Sequence, residues 1–385
     1  MTLLHAAVFL AGTVCVYLVV RDVFQAVVVP RWGSNAYRLS PILVIRLWPL
    51  WKRKAEKIED QETREDFLGT FAPFVLMAML VMWLTSLTFS YGLLDYALDG
   101  QIQPPPGDFG SALYTAGSSL LTMGVGNSEA VGTLARITAL AAGATGLAVF
   151  ALVISMLFTL YTAFERREIM VLSLDGRAGS PPSGLALLEI YSELDLLDNL
   201  PSLFYDWEKW SAEVLQSHIA YPLLAYFRSS HESESWIAAM GAVLDAATLL
   251  LTTVDPCDHC GKKPIGSAHL MYKLGCHTVI DLSHFFGIRM DENPNAGPGV
   301  ERMEWEIARK KLAKCGFSLK PEAEAWDLFQ RKRTVYAASL NELAKHFTTP
   351  PAQWVGDRST IRLTHPANNK ARRNHPETIT ETRAA

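Results

Sequence analysis

The stretch that decides the fold is Phe-Gly-Ser-Ala-Leu-Tyr-Thr-Ala-Gly-Ser-Ser-Leu-Leu-Thr-Met-Gly-Val-Gly-Asn, residues 109–127. Its first part, residues 109–121, has the pattern of a short amphipathic helix and runs directly into Thr122-Met123-Gly124-Val125-Gly126. Glycines at alternate positions tolerate positive φ angles, so successive carbonyl oxygens can point in one direction. A ring of such carbonyls, with the Thr122 hydroxyl as a further oxygen layer, can replace the water shell of a cation. The stretch therefore predicts a re-entrant loop that coordinates cations.

Three apolar runs give this loop a membrane context. Leu3 to Val20 and Phe67 to Leu94 contain no Asp, Glu, Lys or Arg, and Leu134 to Phe164 contains only Arg136. Each run is long enough to cross about 30 Å of hydrocarbon as a helix, and the loop lies between the second and the third. The predicted fold is all-α, with three spanning helices, a re-entrant pore helix and a helical cytoplasmic C-terminal domain.

The distribution of charge predicts an orientation for these spans. Residues 30–66 contain eight Lys and Arg residues, whereas residues 92–133 contain none. By the positive-inside rule, residues 30–66 are cytoplasmic, the loop faces outside, and Arg166 and Arg167 return the chain to the cytoplasm. The first run lacks a basic region ahead of it, so we interpret it as a retained span and not as a cleaved signal. We therefore predict a multi-pass protein of the cell membrane with its N-terminus outside.

The order of span, acidic outer segment, short helix, Thr-x-Gly-x-Gly and second span resembles the pore module of the tetrameric potassium channel family, in its bacterial-like form with one pore loop per subunit. The resemblance covers residues 67–165, about a quarter of the chain. It implies that the residues at the filter positions bind the permeant ion, K⁺. These are Thr122, Met123, Gly124, Val125 and Gly126.

This sequence departs from the pattern of that family at three positions. Met123 stands where a β-branched Val is usual, Val125 where an aromatic residue is usual, and Asn127 where an acidic residue is usual. The missing aromatic ring would normally brace the filter by packing, so selectivity for potassium over sodium is less well supported than cation conduction. At the outer mouth we expect Asn127, Glu129 and Asp108.

The outer segment and the third span contain further candidates. The acidic residues of the outer segment either form a negative rim that concentrates cations or are ordinary solvated loop charges; they are Asp95, Asp99, Asp108 and Glu129. Gly143 and Gly146 lie where the inner helices of the family often bend, which predicts a hinge. Glycine also lets membrane helices approach closely, so a packing role stays open.

Because one loop cannot enclose an axis and each chain has only one, the pore requires four copies of the chain. The first span is then peripheral. Trp32, Trp48 and Trp51 lie among the arginines of residues 31–66. This segment is either an amphipathic stretch at the lipid headgroups, which makes membrane lipids a partner, or a helical hairpin in the cytoplasm.

The remainder of the chain is predicted to form a separate helical region. Residues 185–197, 207–227, 235–254, 268–285, 300–314 and 321–347 have helical patterns separated by Pro and Gly. The apolar stretch 236–253 has Asp245 at its middle, so we predict a buried helix and not a fourth span. The predicted divisions are 1–30 first span, 31–66 basic link, 67–165 pore module, 166–184 linker, 185–350 helical domain and 351–385 disordered tail.

One group of side chains in the helical region suggests a metal. Cys257 and Cys260 form a Cys-x-x-Cys pair, and Cys276 and His277 follow at a distance that permits a tetrahedral zinc site. The alternative is that these are ordinary reduced thiols, because a cytoplasmic setting disfavours disulfides. No nucleotide-binding, nucleophile-elbow or kinase motif is present in the sequence.

Two functions follow from these observations. The first is a homotetrameric potassium-conducting cation channel, not an enzyme, whose helical domain gates the pore or recruits an unidentified cytoplasmic partner. The second is a non-conducting, membrane-anchored signalling or scaffold protein built on a channel-like fold. We expect no cofactor beyond the permeant ion, and no nucleic-acid partner.

Overall fold

The computed structural model of the chain describes residues 3–29, 39–124, 128–229, 234–255, 263–288, 299–350 and 352–355. The protein is mostly helical, as predicted. Up to residue 178 the described helices are α1 Leu3–Val27, α2 Leu39–Ala55, α3 Gln61–Gly69, α4 Phe71–Ala97, α5 Phe109–Leu120 and α6 Thr133–Ala178. They are followed by α7 Gly184–Glu193, α8 Leu200–Ala220, α9 Trp236–Thr252, α10 Lys263–Phe285, α11 Arg302–Lys314 and α12 Glu322–His346.

The chain divides into two compact units that do not follow the chain order. One contains Met1–Ile169 and Glu213–Glu232, and the other contains Met170–Ala212 and Ser233–Ala385. The sequence predicted residues 185–350 as one continuous domain. Residues 213–232 group with the first unit. Within that unit, Arg228 Nη1 lies 3.1 Å from Glu65 Oε2 of α3, and the carbonyl oxygens of Leu224 and Phe227 accept hydrogen bonds from Arg167 of α6.

Three helices are long and apolar enough to cross a membrane, as predicted: Leu3–Val27, Gln61–Ala97 and Thr133–Ala178. The second combines α3 and α4, which are separated only at Thr70. The first helix lies within the predicted span 1–30, and the third continues beyond residue 165, where the predicted pore module ends. Helix α6 continues to Ala178, so the first part of the predicted linker 166–184 is helical.

Helices α1 and α4 pack antiparallel through small residues and one polar pair. A Cβ on Gly12 would lie 3.0 Å from the carbonyl oxygen of Ser90, so the helices approach closely there. Ten residues further along α1, the buried Asp22 carboxylate accepts a 2.8 Å hydrogen bond from Trp83 Nε1. Asp22 thus lies against the middle of α4.

The segment before α4 forms a helical hairpin of α2 and α3 over residues 39–69. Trp48 is buried with its ring edge-on to Phe71, 5.0 Å between centroids. Trp51 stacks on Phe67 and donates a hydrogen bond to its carbonyl oxygen at 3.1 Å. These two tryptophans therefore pack against protein, as the hairpin interpretation expects, and Trp32 lies outside the described residues.

The six predicted helical patterns are each helical in the structure, and all of them lie in the second unit except residues 213–227 of the second pattern. Helix α9 is buried along its length and packs against α7, α10 and α12. Its Asp245 carboxylate accepts hydrogen bonds from Arg333 Nε at 2.9 Å and from the Tyr336 hydroxyl at 2.6 Å. This partner set satisfies a buried charge, so the prediction of a buried helix around Asp245 is confirmed.

Candidate functional site

The predicted short helix is present as α5, which is attached to α4 along its length. The Asp108 side chain caps its N-terminus by accepting a 2.7 Å hydrogen bond from Ser111 N, and this bond lowers the pKa of Asp108. A Cβ on Gly92 would lie 3.3 Å from the Leu113 backbone. Asp108 therefore positions α5, a role that its prediction as an outer-mouth residue did not include.

The C-terminal end of α5 packs against α6 through the two glycines predicted as a hinge. A Cβ on Gly146 would lie 1.9 Å from the Leu120 carbonyl oxygen, and one on Gly143 would lie 3.3 Å from that of Ser119. Helix α6 is continuous through both positions. The geometry supports the packing interpretation most clearly at Gly146, since only glycine leaves room there for the Leu120 carbonyl oxygen.

The residues after α5 alternate in backbone handedness. Thr122 has φ of 53° and Gly124 has φ of 65°, whereas Met123 between them does not have a positive φ. The Thr122 hydroxyl donates to the Leu121 carbonyl oxygen at 2.8 Å, which leaves its oxygen lone pairs free to accept. The positive φ expected at Gly124 is confirmed. Val125, Gly126 and Asn127 lie outside the described residues.

A short antiparallel ribbon closes the base of the loop. Strand β1, Ile102–Gln103, pairs with strand β2, Glu129–Ala130, with Ile102 opposite Ala130. The ribbon joins the chain entering α5 to the chain leaving the Thr-x-Gly-x-Gly segment. Glu129 is part of this ribbon and its side chain is exposed.

The acidic side chains of the outer segment do not form a common exposed rim. Asp108 and Glu129 are exposed, but Asp95 is only 5% exposed at the end of α4. The Asp99 carboxylate lies 4.0 Å from His5 Nδ1. The predicted rim is therefore wrong for Asp95, because the last turn of α4 faces the interior of the unit at that position.

The described half of the predicted zinc site does not converge. Cys276 and His277 are adjacent on α10, and neighbouring residues on a helix point in different directions. Cys276 is buried, which raises its thiol pKa to about 12. His277 is exposed and lies 3.3 Å from Asp281. One of these side chains is thus buried and the other exposed, and Cys257 and Cys260 lie outside the described residues.

Arg167 forms a buried site that sequence reasoning did not find. Its guanidinium, on α6, donates to the carbonyl oxygens of Leu224 at 3.0 Å and Phe227 at 2.8 Å. His218 Nε2 lies 3.2 Å from Nη1, and its Nδ1 lies 2.8 Å from the Val214 carbonyl oxygen. These distances fit a neutral imidazole that donates through Nδ1 and accepts at Nε2. Helix α6 is thus bound to residues far along the chain.

Comparison with protein-family models, with curated proteins and with solved structures finds no match for this chain.

Proposed function

We propose that this chain is a subunit of a homotetrameric cation channel that conducts potassium. The observation that carries the proposal is the alternation of left-handed backbone at Thr122 and Gly124, directly after a short helix between two apolar spans. Residues of alternating handedness turn successive peptide groups the same way, so their carbonyl oxygens can line one path.

The faces of α6 support assembly with further copies of the chain. Large apolar side chains along this helix are exposed in the single chain: Ile137, Leu140, Leu147 and Phe158 are each more than half exposed. In a bilayer such residues contact either lipid or a neighbouring helix. Since one loop cannot surround an ion, a ring of four loops is the arrangement in which the Thr122–Gly124 backbone could coordinate one.

The proposed topology follows from charge. The absence of Lys and Arg in residues 92–133 supports a loop that faces outside, and the basic residues of α2 and its flanks support a cytoplasmic second unit, where it would bind a partner or a ligand that changes opening. Selectivity is proposed to be moderate, since Val125 cannot provide the bracing contacts of an aromatic ring.

The deciding experiment is flux through liposomes that contain the purified protein. We expect efflux of K⁺ that exceeds efflux of Na⁺ under equal gradients, measured in parallel samples with empty liposomes as the control. Tetramers that are intact by mass measurement but pass neither ion would contradict the proposal and favour the scaffold function.

A further inference from the structure

We propose that Gln101 is a positioning residue for the filter, because it caps helix α6 and so holds the chain that leaves the Thr-x-Gly-x-Gly segment. This inference rests on the proposed function for its consequence, but the cap itself is a feature of the structure. Gln101 lies immediately before the ribbon, at the end of a 3-10 helix, Asp99–Gln101.

Helix α6 has no side chain of its own to cap its N-terminus. It begins at Thr133, so the capping position is Gly132, which carries no acceptor. Gln101 supplies the acceptor from 33 residues away: its Oε1 accepts from Leu134 N at 3.1 Å and, more weakly, from Ala135 N at 3.4 Å. Without it, these two amides would lack a protein partner.

The same residue also binds the preceding turn with its backbone. The Gln101 carbonyl oxygen accepts from Val131 N at 2.9 Å and from Gly132 N at 3.1 Å. Gln101 therefore accepts hydrogen bonds from four backbone amides, those of Val131, Gly132, Leu134 and Ala135. The ribbon pairs at Ile102 and Gln103 continue the attachment toward the filter.

The Gln101 side chain occupies the space that a side chain at residue 132 would need. A Cβ on Gly132 would lie 2.3 Å from Gln101 Oε1 and 2.6 Å from its Cβ, so any other residue would displace the side chain. Glycine at the capping position thus removes the local acceptor and makes room for the distant one. The start of α6 is thereby fixed against the chain that enters α5.

The consequence concerns the missing aromatic brace. With Val125 in place of an aromatic residue, the filter lacks the packing contacts that the family uses to hold its width. Instead, the hydrogen bonds of Gln101 hold together the chain segments that enter and leave the loop, and so restrain the loop at both ends. Loss of these hydrogen bonds should allow the ring of filter carbonyl oxygens to widen, and a wider ring discriminates less between K⁺ and Na⁺.

The test compares three variants of the full chain in liposomes and by amide hydrogen exchange. Gln101→Leu keeps the size but loses the acceptor, whereas Gln101→Glu keeps an oxygen acceptor at a helix N-terminus, where negative charge is favourable. Gln103→Leu is the matched control, since the Gln103 side chain is exposed and only its backbone pairs.

For Gln101→Leu we expect exchange of the amides of residues 131–135 to rise roughly fivefold, the size of one lost cap, and the K⁺/Na⁺ permeability ratio to fall. Gln101→Glu and Gln103→Leu should keep wild-type values of both. Wild-type exchange in Gln101→Leu, or faster exchange with an unchanged ratio, would overturn the inference. A wild-type protein that passes no ion would refute the channel function and the filter role together, while the exchange rates would still show whether Gln101 caps α6.

Discussion

At the scale of single residues, Gly124 offers the cleanest test of the proposed filter. Its φ is 65°, and among the residues that the structure describes a Cβ at this position would meet no atom within 4 Å. Gly124→Ala therefore acts through backbone conformation, at a cost of about 1–2 kcal/mol per chain. We expect ion flux to fall at least about tenfold with tetramers intact, because four loops are strained together.

The matched control is Gly107→Ala. This glycine precedes α5, has no positive φ, and would also place its Cβ in open space. Wild-type flux is expected. If Gly124→Ala conducts as well as Gly107→Ala does, the backbone around Thr122 is not the ion path.

A second test at this scale concerns the buried Asp245 carboxylate. Desolvation raises its pKa, although the adjacent Arg333 and Tyr336 favour the charged form. Asp245→Asn would leave the fully buried Arg333 guanidinium without its anion, so we expect the free energy of unfolding to fall by about 3–5 kcal/mol. Asp327→Asn removes a similar partner from the exposed Arg331 and should cost about 0–1 kcal/mol. Equal losses in denaturant unfolding would contradict this account.

At the scale of helices, the contact between α5 and α6 distinguishes packing from bending. Gly146→Ala would force its Cβ against the Leu120 carbonyl oxygen, 1.9 Å away, whereas Gly143→Ala would meet that of Ser119 at 3.3 Å. We expect Gly146→Ala to lower the thermal stability of the assembled protein strongly, and Gly143→Ala to lower it little. A hinge role predicts instead that both variants assemble normally and alter only the probability of opening.

The attachment of α6 to residues 214–227 predicts a dependence on pH. Burial and the neighbouring Arg167 charge hold the pKa of His218 well below its usual value of about 6.5. The unfolded chain therefore takes up this proton more readily, so the stabilisation is fully present above about pH 6.5 and is lost as the pH falls below it. We expect thermal stability to decline between pH 7 and pH 5.

Two variants separate this effect from other titrations. His218→Gln should reduce the loss of thermal stability between pH 7 and pH 5, because this variant lacks the titrating imidazole. His277→Gln, which alters an exposed histidine on α10, should keep the wild-type decline. A decline of the same size in all three proteins would assign it to other groups.

At the scale of the whole molecule, the number of subunits can be measured through mixed assemblies. If one strained loop is enough to block the pore, co-expression of wild-type and Gly124→Ala chains in equal amounts should leave about one sixteenth of the flux in a tetramer. A dimer would retain about one quarter under the same assumption. Flux near one half would contradict a shared pore, because each chain would then conduct alone.

The sequence by itself determined the features that depend on local composition. Apolar length indicated three helices long enough to cross a membrane, and helical periodicity indicated α5 and the helices α7 to α12. The tolerance of glycine for positive φ gave the conformation of Gly124. Each of these properties is decided by a residue and its near neighbours, so reading along the chain is sufficient.

Only the tertiary structure decided which distant groups satisfy one another. Gln101 caps a helix 33 residues away, Trp83 binds Asp22 across 61, and Arg333 neutralises Asp245 across 88. A single sequence shows that a buried charge or an uncapped helix needs a partner, but not which residue supplies it. That choice depends on how the helices pack, and packing sums many weak contacts between segments far apart in the chain.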